Sequence, residues 1–167
     1  IANMPEPGRM REFVEAFAHA VLPACRTSRG RALLLFTSYG MLEATWRRMA
    51  ETLRDEGMQP MRQSGQNRHQ LLEEFKAAPA PVLFGTASFW EGIDVRGDGL
   101  VLLVIAQLPF AVPTEPLHQA RMEWMRQRGD DPFRMLALPQ AVLRFRQGFG
   151  RLIRGREDRG AVLVADP

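Results

Sequence analysis

Within the string Gln147-Gly-Phe-Gly-Arg151-Leu-Ile-Arg154, an amide and two guanidinia recur at spacings of four and three residues. On a helix turning ~100° per residue, Gln147, Arg151 and Arg154 project within roughly 60° of one another. Such a face suits phosphate, because guanidinium donors match phosphate oxygens in bidentate, charge-assisted pairs. Gly148 and Gly150 would each cost a helix interior about 1 kcal/mol relative to Ala. Tolerating both points to close approach by another backbone or a ligand. A solvated basic helix face has the same spacing, so the spacing alone leaves both readings open. The Gly-Phe-Gly lies inside a helical pattern instead of between a strand and a helix, which makes it a poor dinucleotide fingerprint.

Two further strings pair hydroxyls with strand ends. In Gly85-Thr-Ala-Ser-Phe-Trp-Glu-Gly-Ile-Asp94, a loop leaving an apolar strand can turn a hydroxyl and backbone N–H groups toward phosphate. The same loop can turn a carboxylate toward a ribose hydroxyl. Phe89 and Trp90 read more simply as core aromatics, and a plain turn at Gly92-Ile-Asp94 stays open as the alternative. In Leu35-Phe-Thr-Ser-Tyr39, Thr37 and Ser38 supply hydroxyls for phosphate, and Tyr39, the one tyrosine, supplies a ring for base stacking. Strands ending in Thr-Ser are frequent, so this string is weak by itself.

The chain's single lysine limits what these groups can do alone. A P-loop needs Gly-Lys-Ser/Thr at a helix start, where the ammonium reaches the phosphates. Lys76 lies in Glu-Phe-Lys-Ala, so any phosphate cradle of that kind must come from elsewhere. The other 21 of the 22 basic residues are Arg. From Arg121 to Arg159 there are 10 Arg against 5 acids, a local +5 that favours anionic partners, although the whole chain carries only +3. Cys25 is the only cysteine, which excludes an internal disulfide and an internal four-Cys zinc or iron–sulfur site. His19, His69 and His118 form no ligand-spaced pair and are expected on surfaces or helix faces.

With 167 residues, 46% apolar and 25% charged, the sequence is that of one globular domain spanning 1–167. The longest apolar run, Leu100 to Ala106, is far short of the ~20 residues that cross a bilayer. No signal peptide is legible at the start, so a cytoplasmic protein with no membrane partner is expected. The absence of an initiator Met leads to the expectation of an excised piece of a longer protein.

The elements that must position the chemistry alternate. Helical spacing of Phe13, Phe17, Val21 and Leu22 predicts a helix over the first 30 residues. Further helices are predicted over Met41–Glu56, Asn67–Ala77, about Leu117–Arg128, and Pro139 to about Arg154. Short apolar runs predict strands at Arg31–Thr37, Pro81–Thr86, Leu100–Gln107 and Ala161–Ala165, and a further strand is expected at Met58–Gln63. The prolines of Leu108–Pro116 predict a rigid connector. This alternation predicts an α/β fold with a mostly parallel sheet flanked by helices, whose ligands sit beyond the carboxyl ends of the strands.

Taken together and in this order, the three strings resemble motifs IV, V and VI of the DinG/XPD family of superfamily 2 helicases, over about Met4 to Asp166. The Ser-Phe-Trp-Glu-Gly-Ile-Asp core and Leu108-Pro-Phe-Ala-Val-Pro-Thr-Glu-Pro116 look like the DinG branch, and Gln63-Ser-Gly65 with Arg68 and Phe75 is similar to a segment between motifs IV and V. The resemblance implies the second RecA-like lobe of an ATP-dependent DNA helicase, of P-loop-NTPase type but lacking its own Walker A, that acts in DNA repair or replication. It implies that Arg154 is an arginine finger, Arg151 its companion and Gln147 the coupler to conformational change. It implies nucleotide contacts from Glu91, Gly92 and Asp94, and DNA contacts from Thr37, Ser38, Tyr39, Thr86 and Ser88. ATP and Mg2+ would be held mainly by a first lobe outside this chain, which in many members also carries an iron–sulfur cluster. The implied partners are that lobe and single-stranded DNA, unwound 5′ to 3′, and the isolated lobe is expected to hydrolyse nothing. The competing reading is a non-catalytic single-strand nucleic-acid-binding or protein-interaction module of the same fold.

Overall fold

Five short strands line up side by side in one sheet. The computed structural model describes residues 1, 3–65, 67–86, 99–110, 116–150, 152 and 159–166, with the backbone alone at 148. Strands β1 (Ala32–Phe36), β2 (Gln59–Arg62), β3 (Pro81–Thr86), β4 (Leu102–Ile105) and β5 (Ala161–Val164) pair in the order β2-β3-β1-β4-β5. Every pairing is parallel. The central strands β1, β3 and β4 are buried along their whole length, as expected of a parallel sheet covered on both faces.

Side-chain alternation divides the core in two. Leu34, Phe36, Val82, Phe84 and Val104 meet Phe13, Phe17 and Val21 of α1 (Met10–Thr27) and Leu42, Met49 and Leu53 of α2 (Tyr39–Asp55). Leu33, Leu35, Leu83, Leu103 and Ile105 meet Leu71, Leu72 and Phe75 of α3 (Arg68–Ala77) on the other face, with Phe145 packed against them. Two more α-helices follow, α4 (Pro116–Gln127) and α5 (Leu138–Phe149).

Several boundaries differ from expectation for identifiable reasons. The first helix begins only at Met10, because Pro5, Pro7 and Gly8 disfavour helix before it. Helix α2 begins at Tyr39, two residues early, because the Ser38 hydroxyl accepts a 3.3 Å hydrogen bond from the Met41 N–H and caps it. Ahead of α5 stands an unexpected π-helical turn, Phe133–Ala137. Asp131 Oδ1 accepts from Phe133 N at 2.9 Å and Arg134 N at 3.3 Å where this turn starts. At the other end α5 stops at Phe149, short of the expected Arg154. The Leu152 N–H then closes a tight turn onto the Phe149 carbonyl at 3.0 Å. At the amino edge of the sheet Gly30 has φ +72°, and a Cβ there would lie 2.5 Å from the Ala80 backbone. Only glycine fits that crossing.

Candidate nucleic-acid interface

In a parallel sheet the residues after each strand collect along one edge. From one side to the other this edge carries Gln63, Thr86 (the last residue of β3), Thr37, Gln107 and Asp166. Phe36 and Thr86 are register partners, so the two hydroxyl-bearing strings leave the sheet from neighbouring strands. The edge is kept in register beyond the strands by Gln63 N–H to Phe84 O, Ala106 N–H to Leu35 O and Ala165 N–H to Ile105 O, each 2.9 Å.

Gln63 joins three elements. Its Oε1 accepts from the Thr86 backbone N–H at 2.8 Å and from the Thr86 hydroxyl at 2.9 Å. Its Nε2 donates to the Tyr39 hydroxyl at 2.5 Å. Thr86, expected to face a phosphate, is only 6% exposed, and both its donors are committed to this one amide oxygen. Tyr39 is 56% exposed. One strand across, the exposed Thr37 donates to Gln107 Oε1 at 2.5 Å. Asp166 accepts from the Leu108 N–H at 3.2 Å, which fastens the chain leaving β4 to the end of β5. Ser38 is exposed, and its oxygen is occupied by the α2 cap.

Beside Gln63, Arg62 pairs with Glu43, which also holds Arg47 at 3.1 Å. The Arg62 hydrogen bond, helped by Arg47, holds the Glu43 carboxyl below its usual range although desolvation opposes this. The Arg62 guanidinium also lies 5.4 Å from the centroid of Trp46, whose edge meets Phe84. Arg62 is therefore engaged on both flanks and stiffens the end of β2.

Gln147 is exposed close to the end of α5. Arg151 and Arg154 lie outside the described residues, as do Ser88, Glu91, Gly92 and Asp94 with Phe89 and Trp90. The helix face on which Gln147 was expected to stand with two arginines is cut by the end of α5 at Phe149. Lys76 lies in α3 and donates to Glu73 at 2.8 Å, away from any strand-to-helix loop of P-loop type. Among the described residues no group of three or more His, Cys, Asp or Glu could hold a metal ion. None of the described helices is long and apolar enough to cross a membrane.

Gln107 and Asp166 are absent from the sequence-based candidates, and Gln63 figured there only through a weak segment likeness. A signal did exist: Gln63 and Gln107 are each the last residue of an expected strand, and Gln107 is a polar amide directly after an apolar run.

The family model for the helicase C-terminal domain matches residues 21–167. The chain is 40% identical to the ATP-dependent DNA helicase YoaA of Haemophilus influenzae, over 98% of this chain and 25% of that protein. It is 41% identical to the Escherichia coli protein of the same name, over 99% of this chain and 26% of that one. It is 37% identical to the 3'-5' exonuclease DinG of Bacillus subtilis, over 93% of this chain and 17% of that one. It thus spans about a quarter or less of the length of these relatives. Its fold matches a solved XPD helicase with a TM-score of 0.73 at 16% identity, over 99% of this chain and 29% of that one. A second match is Xpd4 of S. tokodaii, with a TM-score of 0.70 at 19% identity, over 98% of this chain and 32% of that one. The chain belongs to the helicase C-terminal domain family and is similar to the DinG/YoaA helicases.

Proposed function

We propose that residues 1–167 form the second motor lobe of an ATP-dependent DNA helicase of the DinG type. The observation that supports this best is the side-by-side exit of two motif-like strings, Leu35–Tyr39 and Gly85–Asp94, from the hydrogen-bonded strands β1 and β3. One edge thereby gathers both strings, and the one lysine, Lys76, lies outside any P-loop sequence. In this reading ATP and Mg2+ are held by a first lobe, and single-stranded DNA runs along the carboxyl edge. Arg151 and Arg154 reach the γ-phosphate when the lobes close, and Gln147 links that closure to movement along the strand. Glu91, Gly92 and Asp94 lie against the nucleotide. A motor of this kind works on cytoplasmic DNA in repair or replication.

The test is Arg154→Ala in the full-length protein, read as ATP hydrolysis at saturating single-stranded DNA. An arginine that stabilises transferring phosphoryl charge contributes on the order of 10³-fold or more, so the rate should fall by about that factor while ATP still binds. An unchanged rate would overturn the arginine-finger role. DNA binding that ignores ATP in every variant would instead support a non-catalytic binding module.

A further inference from the structure

The hydrogen bonds around Gln63 have a definite direction. A backbone N–H can only donate, so the side-chain atom facing Thr86 N at 2.8 Å must be the amide oxygen. That choice settles which way the amide is turned. The Thr86 hydroxyl, 2.9 Å from the same oxygen, must then give its one proton to Gln63. On the opposite side the amide nitrogen faces Tyr39, so the tyrosine oxygen accepts and its own proton is turned away from Gln63. The buried member of the trio has no proton left to offer a ligand. The exposed member has one.

We infer that Gln63 is a positioning residue that makes the Tyr39 hydroxyl the phosphate-facing donor, and that Thr86 acts on nucleic acid only by holding Gln63. This rests on the single-stranded DNA reading above and reassigns a contact within it. An O–H donated to an ionised oxygen is among the stronger protein hydrogen bonds, and an amide fixed by two donors aims it without a search over rotamers. Thr86, joined to Phe36 by strand register, is the fixed point, and Tyr39, the first residue of α2, is the pointer.

The experiment uses the full-length protein and measures the dissociation constant for a single-stranded oligonucleotide, together with the DNA concentration giving half-maximal ATPase. The variants are Tyr39→Phe, Gln63→Leu, Thr86→Val and the pairwise combinations. Tyr39→Phe removes one exposed oxygen and keeps the ring, so it reports even if Gln63→Leu folds poorly. We expect Tyr39→Phe to weaken binding by about tenfold, the scale of a hydrogen bond to a charged group. Gln63→Leu should weaken it similarly, and the double variant should be no weaker than either single one. Thr86→Val should have no effect once Gln63 is Leu. In each case the half-maximal DNA concentration should rise while the ATPase rate at saturating DNA is kept. This separates aim from a general loss of structure.

The inference is overturned if Tyr39→Phe binds like the wild type, or if Thr86→Val keeps its full effect in the Gln63→Leu background. Either result alongside normal wild-type DNA binding leaves the helicase reading standing. A wild-type protein that binds no single-stranded DNA overturns both.

Discussion

The α1–α2 side of the sheet and the stretch of α4, the π-helical turn and α5 are both largely helical, and α5 is as amphipathic as α1, yet they are finished differently. On the first side, Phe13, Phe17, Val21, Met49 and Leu53 have no solvent exposure. Phe13, Phe17, Phe36 and Phe84 form a chain of rings with centroids 5.6–6.0 Å apart. Ion pairs also cross between these two helices: Arg48 to Glu15 at 2.7 Å, and Arg26 to Glu56 at the carboxyl end of α2 at 2.5 Å. The α4–α5 stretch has little of this. Helix α4 buries only His118, and Leu117, Trp124, Met135 and Leu143 are each more than half exposed. Among the described residues, the ion pairs along α4 and the turn after it link near neighbours in sequence, as in Arg126 to Glu123 at 3.5 Å. Periodicity tells a helix which face is apolar. It says nothing of what covers that face, and only covered faces stabilise the fold strongly.

The largest test of this contrast is Phe17→Ala. The ring is fully buried between Phe13 and Phe36, and emptying such a site typically costs about 3–5 kcal/mol. That is a large part of the 5–15 kcal/mol, roughly, that holds a domain together. Urea unfolding of the full-length protein should show the transition of this region moving to much lower denaturant. A shift equivalent to less than about 1 kcal/mol would mean that the α1–α2 side is not the stabilising half, because buried Phe truncation is never that mild in a closed core.

The same contrast explains what could be read from the sequence. Four of the five strands were legible because each is a short apolar run, and the hydroxyl strings were legible because they directly follow two of those runs. The strand order was not, since it depends on which chain crosses over which. Without that order nothing connects Gln63 to Thr86, 23 residues away, or Thr37 to Gln107, 70 residues away. The π-helical turn was hidden because Phe133, Met135 and Leu136 fit a helix or an extended segment equally well. Tyr39 was named as a candidate on the strength of its ring, while the structure draws attention to its hydroxyl.

A smaller effect is expected from the seam between α1 and α2. The Arg26 hydrogen bond is the main cause that holds the Glu56 carboxyl below its usual pKa of 4.5, and it outweighs desolvation. A carboxyl depressed in the folded state stabilises fully above its unfolded pKa, and that contribution fades as pH falls through the folded value. Wild type should therefore melt slightly above Glu56→Gln at pH 7, and the gap should narrow from about pH 4.5 downward. Raising the salt concentration at pH 7 should also narrow it, because the pair is open to solvent. A gap that widens in acid would show that Arg26 does not hold Glu56 in its charged form.

The smallest expected effect sits on the α4–α5 stretch. Leu143 is 58% exposed on α5, two residues from Phe145, which packs against the core. Leu143→Ser removes apolar surface that water already reaches, so its transfer term is small. Ser is a slightly poorer helix former than Leu, by a few tenths of a kcal/mol, roughly. Chemical denaturation should place the variant within about 0.5 kcal/mol of wild type, the usual range for surface substitutions. Phe145→Ala, on the neighbouring inward position, should cost clearly more. The pair forms an internal control, since both changes fall in one helix and share its propensity and its ends. If Leu143→Ser proved as damaging as Phe145→Ala, the exposed stripe of α5 would have to be covered in the full-length protein. The contrast between the two regions would then belong to residues 1–167 alone.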